Sequence, residues 1–137
     1  YLVRYNRYGV YHEHPLEIKW APSNDKATFK IHDLHNYISQ NASILLIYNT
    51  GKYNLKKPKN CHYKEHIKTI KGCMEDIKWA IIDPQSIKKI VNDHTHFPIP
   101  YIGNKMGLIV EPSNFNKYMI EREMRHILPQ ESVNELQ

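Results

Sequence analysis

The chain has 137 residues, the length of one domain, and its 19 lysines and arginines against 14 aspartates and glutamates give a formal charge of +5. Two cysteines are too few for a disulfide framework, and no apolar run approaches the roughly 20 residues that a membrane-spanning helix needs. We therefore expect no membrane partner, and the basic charge favours an acidic partner such as nucleic acid.

The first predicted elements are an arm, a turn, a strand and a helix. Residues 1–20 alternate aromatic and polar side chains and predict an extended arm with a turn at Arg7-Tyr8-Gly9. A second turn at residues 22–25 and a short strand at residues 27–31 follow. Asp33 stands where the N-cap of a helix belongs, ahead of apolar residues at helical spacing.

Buried strands and helices then alternate. The apolar run at residues 43–48 predicts a strand buried on both faces, as in a parallel sheet, and the lysine-rich stretch at residues 52–60 predicts a loop. The remaining predicted elements are a helix at 63–74, a strand at 79–82, a helix at 85–92, a strand at 98–102, a weaker apolar run at 108–110 and a last helix that ends at 128. This order predicts an α/β fold, a small doubly wound (Rossmann-like) parallel sheet of about three to five strands with helices on both faces.

We expect a single domain over residues 1–137, in which the arm (residues 1–20) precedes an α/β core (residues 21–128) and a frayed tail (residues 129–137). No composition shift, internal repeat or linker divides the chain.

The histidines raise the possibilities of a metal site and of acid–base catalysis, and the positions of these residues in the sequence favour neither. His94 and His96 have a spacing that metal ligands can use, but Cys61 and Cys73 lack the close partners of a structural zinc site. The same two histidines precede a strand, whereas ligand sites in open α/β sheets lie at the carboxyl ends of strands. We therefore expect no metal site, no cofactor and no catalytic residue.

The candidate nucleic-acid contacts lie in the lysine-rich loop and in the arm. The predicted RNA-binding residues are Arg4, Arg7, Tyr8, Lys52, Lys56, Lys57 and Lys59. The chain has 15 lysines but only four arginines, which favours contacts to phosphates and to shape over the reading of base sequence. A solvated loop and an edge strand with aromatic cross-strand pairs are the alternative interpretations of these two segments.

Five fragments, in a fixed order, carry a family resemblance. They are Trp20-Ala21-Pro22, Phe29-Lys30-Ile31-His32-Asp33-Leu34, Ile44-Leu45-Leu46-Ile47, Ala80-Ile81-Ile82-Asp83-Pro84 and Ile99-Pro100-Tyr101-Ile102-Gly103. In this order they resemble the bacterial-type small-subunit ribosomal protein two family. That family has a Trp-Asn-Pro element, an Ile-His-Ile-Ile-Asp-Leu-like motif that opens a helix, a buried strand, a strand ending in Ile-Asp-Pro and an Ile-Pro-x-Ile strand.

The chain departs from that family between the first two buried strands. The family has a Gly-Gly stretch and a long helical hairpin there, and this chain has only the 26 residues from Gly51 to Asp76. The family's Asp-Thr-Asn after the last strand is also missing. The resemblance therefore implies a shortened member without the hairpin. The chain has 54 Ile, Lys, Asn and Tyr residues among its 137. This composition is typical of an AT-biased genome and fits an organelle-encoded, mitochondrial protein.

The resemblance implies a structural constituent of the small ribosomal subunit in the mitochondrial matrix. Such a protein binds ribosomal RNA and neighbouring small-subunit ribosomal proteins; it is not an enzyme and takes no small-molecule substrate. Two alternatives stay open: a small histidine-dependent ribonuclease or toxin-like domain, and a basic protein-interaction module whose charge reflects codon usage.

Overall fold

The computed structural model describes residues 1–118, apart from the side chains of Tyr5, Arg7, Pro112, Ser113 and Asn116. The predicted last helix beyond residue 118 and the tail at residues 129–137 lie outside the described residues. The elements are β1 (Leu2–Arg7), β2 (Val10–Ala21), β3 (Ala27–Lys30), α1 (Ile31–Ser39), β4 (Ser43–Asn49), α2 (Tyr63–Gly72), β5 (Ile77–Ile82), α3 (Pro84–Asp93), β6 (Phe97–Ile99) and β7 (Lys105–Val110). Short 3-10 turns span Met74–Asp76, Pro100–Ile102 and Pro112–Lys117.

The larger sheet has four strands in the order β1-β2-β4-β5. Strands β1 and β2 form an antiparallel hairpin whose two-residue turn is Tyr8-Gly9, with φ of 55° and 79°. Both turn residues lie in the left-handed region, as the favoured hairpin turns require, and the glycine adopts it without steric cost. The second half of β2 runs parallel to β4, and β4 pairs antiparallel with β5. The predicted arm is therefore extended with the expected turn, and it forms the strands β1 and β2 of the larger sheet.

The smaller sheet is antiparallel in the order β3-β7-β6, and one core joins it to the larger sheet through α1 and α3. Alternate residues of β4 and β5 point to opposite faces. We call the face with Ile44, Leu46, Ala80 and Ile82 the inner face, since these side chains are buried. The main core residues are Phe29, Leu34, Ile44, Leu46, Ile82, Ile87, Ile90, Leu108, Val110 and Phe115.

The outer face of the larger sheet carries Leu45, Ile47, Trp79 and Ile81. A groove of about 490 Å³ lies on this side, with a mainly apolar lining made by Leu45, Ile47, Met74, Ile77, Lys78 and Trp79. Within residues 1–118, no helix has the length and apolarity to span a membrane.

The α/β class is confirmed, but the predicted all-parallel sheet is wrong, since β2 and β4 are the one parallel pair among the described strands. An apolar run predicts burial on both faces and contains no information on strand direction. The link from β2 to β4 contains β3 and α1, long enough for the crossover that parallel strands need. The link from β4 to β5 instead returns the chain to the same end of the sheet.

Several element boundaries also differ from the prediction, two of them for a clear local reason. The predicted strand at residues 98–102 ends at Ile99, because Pro100 lacks the N–H that would continue the ladder and begins a 3-10 turn. Helix α1 begins at Ile31, so Asp33 lies in the first turn and not at the N-cap. A carboxylate in that turn still favours the helix through its dipole. Asp83 does cap α3, accepting a hydrogen bond from the Ser86 N–H at 2.8 Å.

Candidate nucleic-acid interface

The carboxyl ends of the two parallel strands lie side by side, with Ala21 of β2 paired with Tyr48 of β4. Beyond them the chain enters the turn at residues 22–26 and the segment at residues 50–62, which we call the lysine loop. In open α/β sheets, ligand sites form outside the carboxyl ends of parallel strands, where neighbouring loops leave a crevice. The sheet therefore brings the lysine loop to the edge at which a binding site is expected.

Asn49, the last residue of β4, holds the turn and the loop together. Its side chain is 1% exposed, and its amide nitrogen donates to the carbonyls of Pro22, at 3.0 Å, and Tyr53. Its side-chain oxygen accepts from the Gly51 N–H at 2.8 Å. A buried amide must be hydrogen-bonded to be tolerated, and these three bonds satisfy it while they fix two segments to each other.

Leu55 is a second anchor, in the middle of the lysine loop. Its side chain is 2% exposed, and its backbone N–H donates to the Pro22 carbonyl at 3.0 Å. The Asn24 side-chain amide donates to the Lys52 carbonyl at 2.9 Å. Lys52 and Lys56 therefore extend from a loop that is attached to the protein between them.

A pocket of about 350 Å³, which we call the basic pocket, lies between the turn, the lysine loop and the 3-10 turn at Pro100–Ile102. This volume falls in the range of small-ligand sites, roughly 300–1,000 Å³. None of the described residues that line it is acidic. The residues that give the pocket its polar character are Lys19, Lys26, Lys56, Ser23, Thr28, Asn54 and Tyr101.

Two of the three lysines contact aromatic rings. The Lys19 ammonium lies 5.5 Å from the centroid of the Phe29 ring, and the Lys26 ammonium lies 5.2 Å from that of Tyr101. Burial lowers the pKa of Lys19, Asp33 opposes this shift, and the neighbouring charge of Lys30 adds to it. A partly desolvated ammonium gains more from an anionic ligand than a fully hydrated one, because less water has to be displaced.

The predicted lysines of the loop have different environments. Lys56 lines the basic pocket, whereas Lys52 and Lys59 are exposed on the loop surface. The Lys57 ammonium donates to the carbonyls of Pro58, at 3.3 Å, and Cys61, at 3.1 Å. Three of the four predicted lysines therefore face the pocket or solvent, and the fourth bonds within the loop.

The predicted residues of the arm lie at the other end of β2. Arg4 forms an exposed ion pair with Glu13, at 2.9 Å between Nε and Oε1. Tyr8, in the hairpin turn, is 92% exposed, and Arg7 lies beside it in β1. Because β2 has 12 residues, its two ends lie about 35 Å apart at roughly 3.3 Å per residue. The structure does not bring Arg4, Arg7 and Tyr8 into one site with the lysine loop.

His94 and His96 bond to backbone carbonyls at the end of α3. A ring nitrogen of His94 bonds the Ile90 carbonyl at 2.9 Å, and one of His96 bonds the Val91 carbonyl at 2.8 Å. Both contacts satisfy carbonyls that a helix end leaves without partners. Among residues 1–118 no three or more His, Cys, Asp or Glu side chains converge as metal ligands would, and Cys61 and Cys73 are both free thiols.

Lys19, Lys26 and Tyr101 line the pocket but were not predicted as site residues. The rule that ligands bind at the carboxyl ends of parallel strands would have pointed to Lys19 and Lys26, had the second half of the arm been recognised as a strand. No sequence signal indicates that Tyr101 lies beside them, since this contact depends on how the smaller sheet packs.

The chain matches no protein-family model, no curated protein and no solved structure. The ribosomal resemblance therefore stays a prediction. The basic pocket and the lysine loop are the features of the described residues that bear most directly on function.

Proposed function

We propose that this protein is a structural constituent of the small ribosomal subunit, in mitochondria, and that it binds ribosomal RNA without turnover. The observation that carries the proposal is the convergence of Lys19, Lys26 and Lys56 on one pocket at the carboxyl ends of β2 and β4. Lys52 and Lys59 extend this positive surface along the lysine loop. The same geometry suits a polyanion whose successive phosphates contact the pocket and the loop.

Such binding is electrostatic. Lysine ammonium groups contact phosphates as point charges, and each contact releases a counterion from the RNA. The affinity should therefore fall steeply with salt, with a log–log slope of about −0.9 for each phosphate neutralised on a duplex and about −0.7 on a single strand. Specificity for a position in the subunit would come from shape and from neighbouring proteins, as the excess of lysine over arginine suggests.

The doubly wound sheet that the resemblance implies is not needed for this proposal. The proposal depends on the parallel pair of β2 and β4, which creates the edge where the pocket lies. The hairpin turn would supply a second contact, because an exposed tyrosine such as Tyr8 can stack on an unpaired base.

Sedimentation of a mitochondrial or whole-cell lysate through a sucrose gradient, with mass spectrometry for this chain, tests the proposal directly. We expect the chain to migrate with the small subunit and to stay there after a moderate salt wash. A chain that stays at the top of the gradient would contradict the ribosomal assignment.

Replacing Lys56, Lys57 and Lys59 by alanine tests the site. We expect weaker association with RNA or with the subunit, and a shallower salt dependence, because up to three phosphate contacts disappear. The matched control removes the same charge from exposed lysines of α2, namely Lys64, Lys68 and Lys71. Equal effects of the two triple variants would indicate that net charge, and not this loop, determines binding.

The two alternatives predict other outcomes of the same assays. A histidine-dependent ribonuclease would cleave RNA without metal and lose this activity when His94 or His96 is replaced. A basic protein-interaction module would have no affinity for RNA at moderate salt.

A further inference from the structure

The basic pocket differs from the lysine loop in what it can accept. A concave site of about 350 Å³ admits a small group or a single nucleotide, whereas the backbone of an RNA helix can contact only its rim and the exposed Lys52 and Lys59. The loop and the pocket are therefore separable parts of the interface. An RNA helix bound to the lysine loop therefore leaves the pocket open to a second, smaller ligand.

Tyr101 gives the pocket an aromatic surface in a fixed orientation. Its hydroxyl hydrogen-bonds the Thr28 hydroxyl at 2.6 Å, which ties the ring to β3, while 54% of the side chain stays exposed. An aromatic ring that is both exposed and fixed is a platform on which a nucleobase can stack, whatever its identity.

Two lysines of the pocket can supply a cation near this platform. Lys26 is 5.2 Å from the ring centroid, and Lys56 lines the same pocket from the lysine loop. In a nucleotide, phosphate and base are joined through one sugar, so a phosphate and a base presented together must find a cation and an aromatic face close together. The pocket offers this combination. The side-chain nitrogen of Asn54 can add a donor to a sugar or base, while its oxygen accepts from the Lys56 N–H and the Ser23 hydroxyl donates to Asp25.

We propose that the basic pocket binds one nucleotide, with the phosphate on Lys26 and Lys56 and the base on the ring of Tyr101. The nucleotide is either an unpaired nucleotide of RNA or a free nucleoside monophosphate. In the first case the inference rests on the proposed RNA-binding function and deepens it, because the pocket then selects an unpaired position that a duplex cannot provide.

Binding requires an exchange at the ring of Tyr101. Without ligand, the Lys26 ammonium occupies a position over the ring. When a nucleotide enters, this ammonium moves to the phosphate and the base takes its place on the ring. The exchange is favourable because stacking of a base on an aromatic ring is stronger than a solvent-exposed cation–π contact, and the ammonium gains an ion pair.

Lys19 has a different part in the same pocket. It is partly buried over the Phe29 ring, and burial lowers its pKa, so its charge is less screened by water than that of the other two lysines. In its protonated form Lys19 adds a third positive charge to the lining of the pocket, which Asp33 partly offsets. This charge favours a ligand with more than one negative charge, such as a terminal phosphate.

The experiment uses the whole chain and three probes: a labelled single-stranded RNA hexamer, a duplex of the same sequence, and adenosine 5′-monophosphate. Binding is measured by fluorescence anisotropy or calorimetry for the wild type, Tyr101→Ala, Tyr101→Phe and the double variant Lys52→Ala/Lys59→Ala. The replacement of Tyr63, an exposed tyrosine of α2, by alanine is the matched control. Circular dichroism checks that each variant folds, which is expected because the replaced side chains are exposed.

We expect Tyr101→Ala to weaken hexamer binding about tenfold and to leave duplex binding unchanged, while Tyr101→Phe retains most of the affinity. Lys52→Ala/Lys59→Ala should weaken both RNAs. If Tyr101→Ala has no effect on the hexamer, or weakens hexamer and duplex equally, and also leaves monophosphate binding unchanged or absent, the nucleotide pocket is refuted. The loop variant still tests RNA binding separately.

The monophosphate distinguishes the two sources of the nucleotide. If neither RNA binds but the monophosphate does, and Tyr101→Ala abolishes this binding, the pocket is supported with a free nucleotide as ligand and the proposed function fails. If none of the three probes binds, both proposals fail.

Discussion

The two ends of β2 have similar residue types around them but differ in structure. Each combines basic residues with tyrosines: Arg4 and Tyr8 near the hairpin turn, Lys26 and Tyr101 at the carboxyl end. At the hairpin, the arginine is paired with Glu13 on an exposed surface and the tyrosine projects from a turn. At the carboxyl end, cations from three segments converge on a pocket.

The difference comes from buried residues that carry no charge. Asn49 and Leu55 attach the lysine loop to the turn that follows β2, so that Lys56 of the loop and Lys26 of the turn line one pocket. The outer half of the hairpin is exposed from Val10 to Glu13. A basic and aromatic composition therefore becomes a site only where buried contacts give it a concave shape.

The largest expected effect comes from removing one of these anchors. Leu55→Ala should lower the free energy of unfolding by about 3 kcal/mol, because it deletes a buried side chain and leaves a cavity. Leu2→Ala in the hairpin, where the leucine is exposed, should cost less than about 0.5 kcal/mol. Urea denaturation of both variants measures the difference. Equal losses would show that the hairpin is anchored as firmly as the lysine loop.

Charge removal should separate the two ends in RNA binding. Lys26→Ala/Lys56→Ala should weaken binding to single-stranded RNA by about tenfold and reduce the salt slope by about 1.4, that is, two contacts at about 0.7 each. Arg4→Ala should change the affinity less than about twofold, because this guanidinium is already paired with Glu13. Anisotropy titrations between low and moderate salt test this. A stronger effect of Arg4→Ala would make the hairpin the main RNA contact.

The smallest effect is a pH dependence near the base of the hairpin. A ring nitrogen of His14 contacts the Ser43 hydroxyl at 2.6 Å, and burial lowers the pKa of His14, an effect that Asp83 partly opposes. As the pH falls, His14 is therefore protonated near pH 6.5 in the unfolded chain and only at a lower pH in the folded protein. This contribution to stability is present above pH 6.5 and is lost as the pH falls through the lower folded-state pKa.

His14→Gln should remove this acid-dependent loss. Thermal denaturation of the wild type and the variant between pH 4 and pH 8 measures it, and the two curves should converge towards low pH. Parallel curves over the whole range would show that His14 is equally easy to protonate in both states.

The parts of the fold that depend on local sequence were predictable. The apolar runs at residues 43–48 and 79–82 are strands, the turn at Tyr8-Gly9 closes a hairpin, and Asp83 with Pro84 opens a helix. Each follows from a preference that a few neighbouring residues express. Strand direction and the division into two sheets depend on packing between distant segments, so the predicted all-parallel sheet was wrong.

The candidate site was likewise predictable only where it depends on local sequence. The lysine loop is visible as a charged stretch between two apolar runs, but nothing in the sequence distinguishes Lys56, which lines the pocket, from Lys57, which bonds within the loop. Thr28 and Tyr101 are 73 residues apart in the chain and touch only after both sheets have formed. A site assembled from such distant residues requires the fold.

The anchor at Leu55 also has an entropic consequence. Fixing a backbone residue costs about 1–2 kcal/mol, and an unattached loop would meet this cost each time it bound a ligand. Because Leu55 is buried in the folded protein, the ordering of its neighbours is completed during folding. Association should then need no slow rearrangement of the loop, so that encounter is limited by diffusion and charge, and the lifetime of the complex is determined by how fast the ligand leaves.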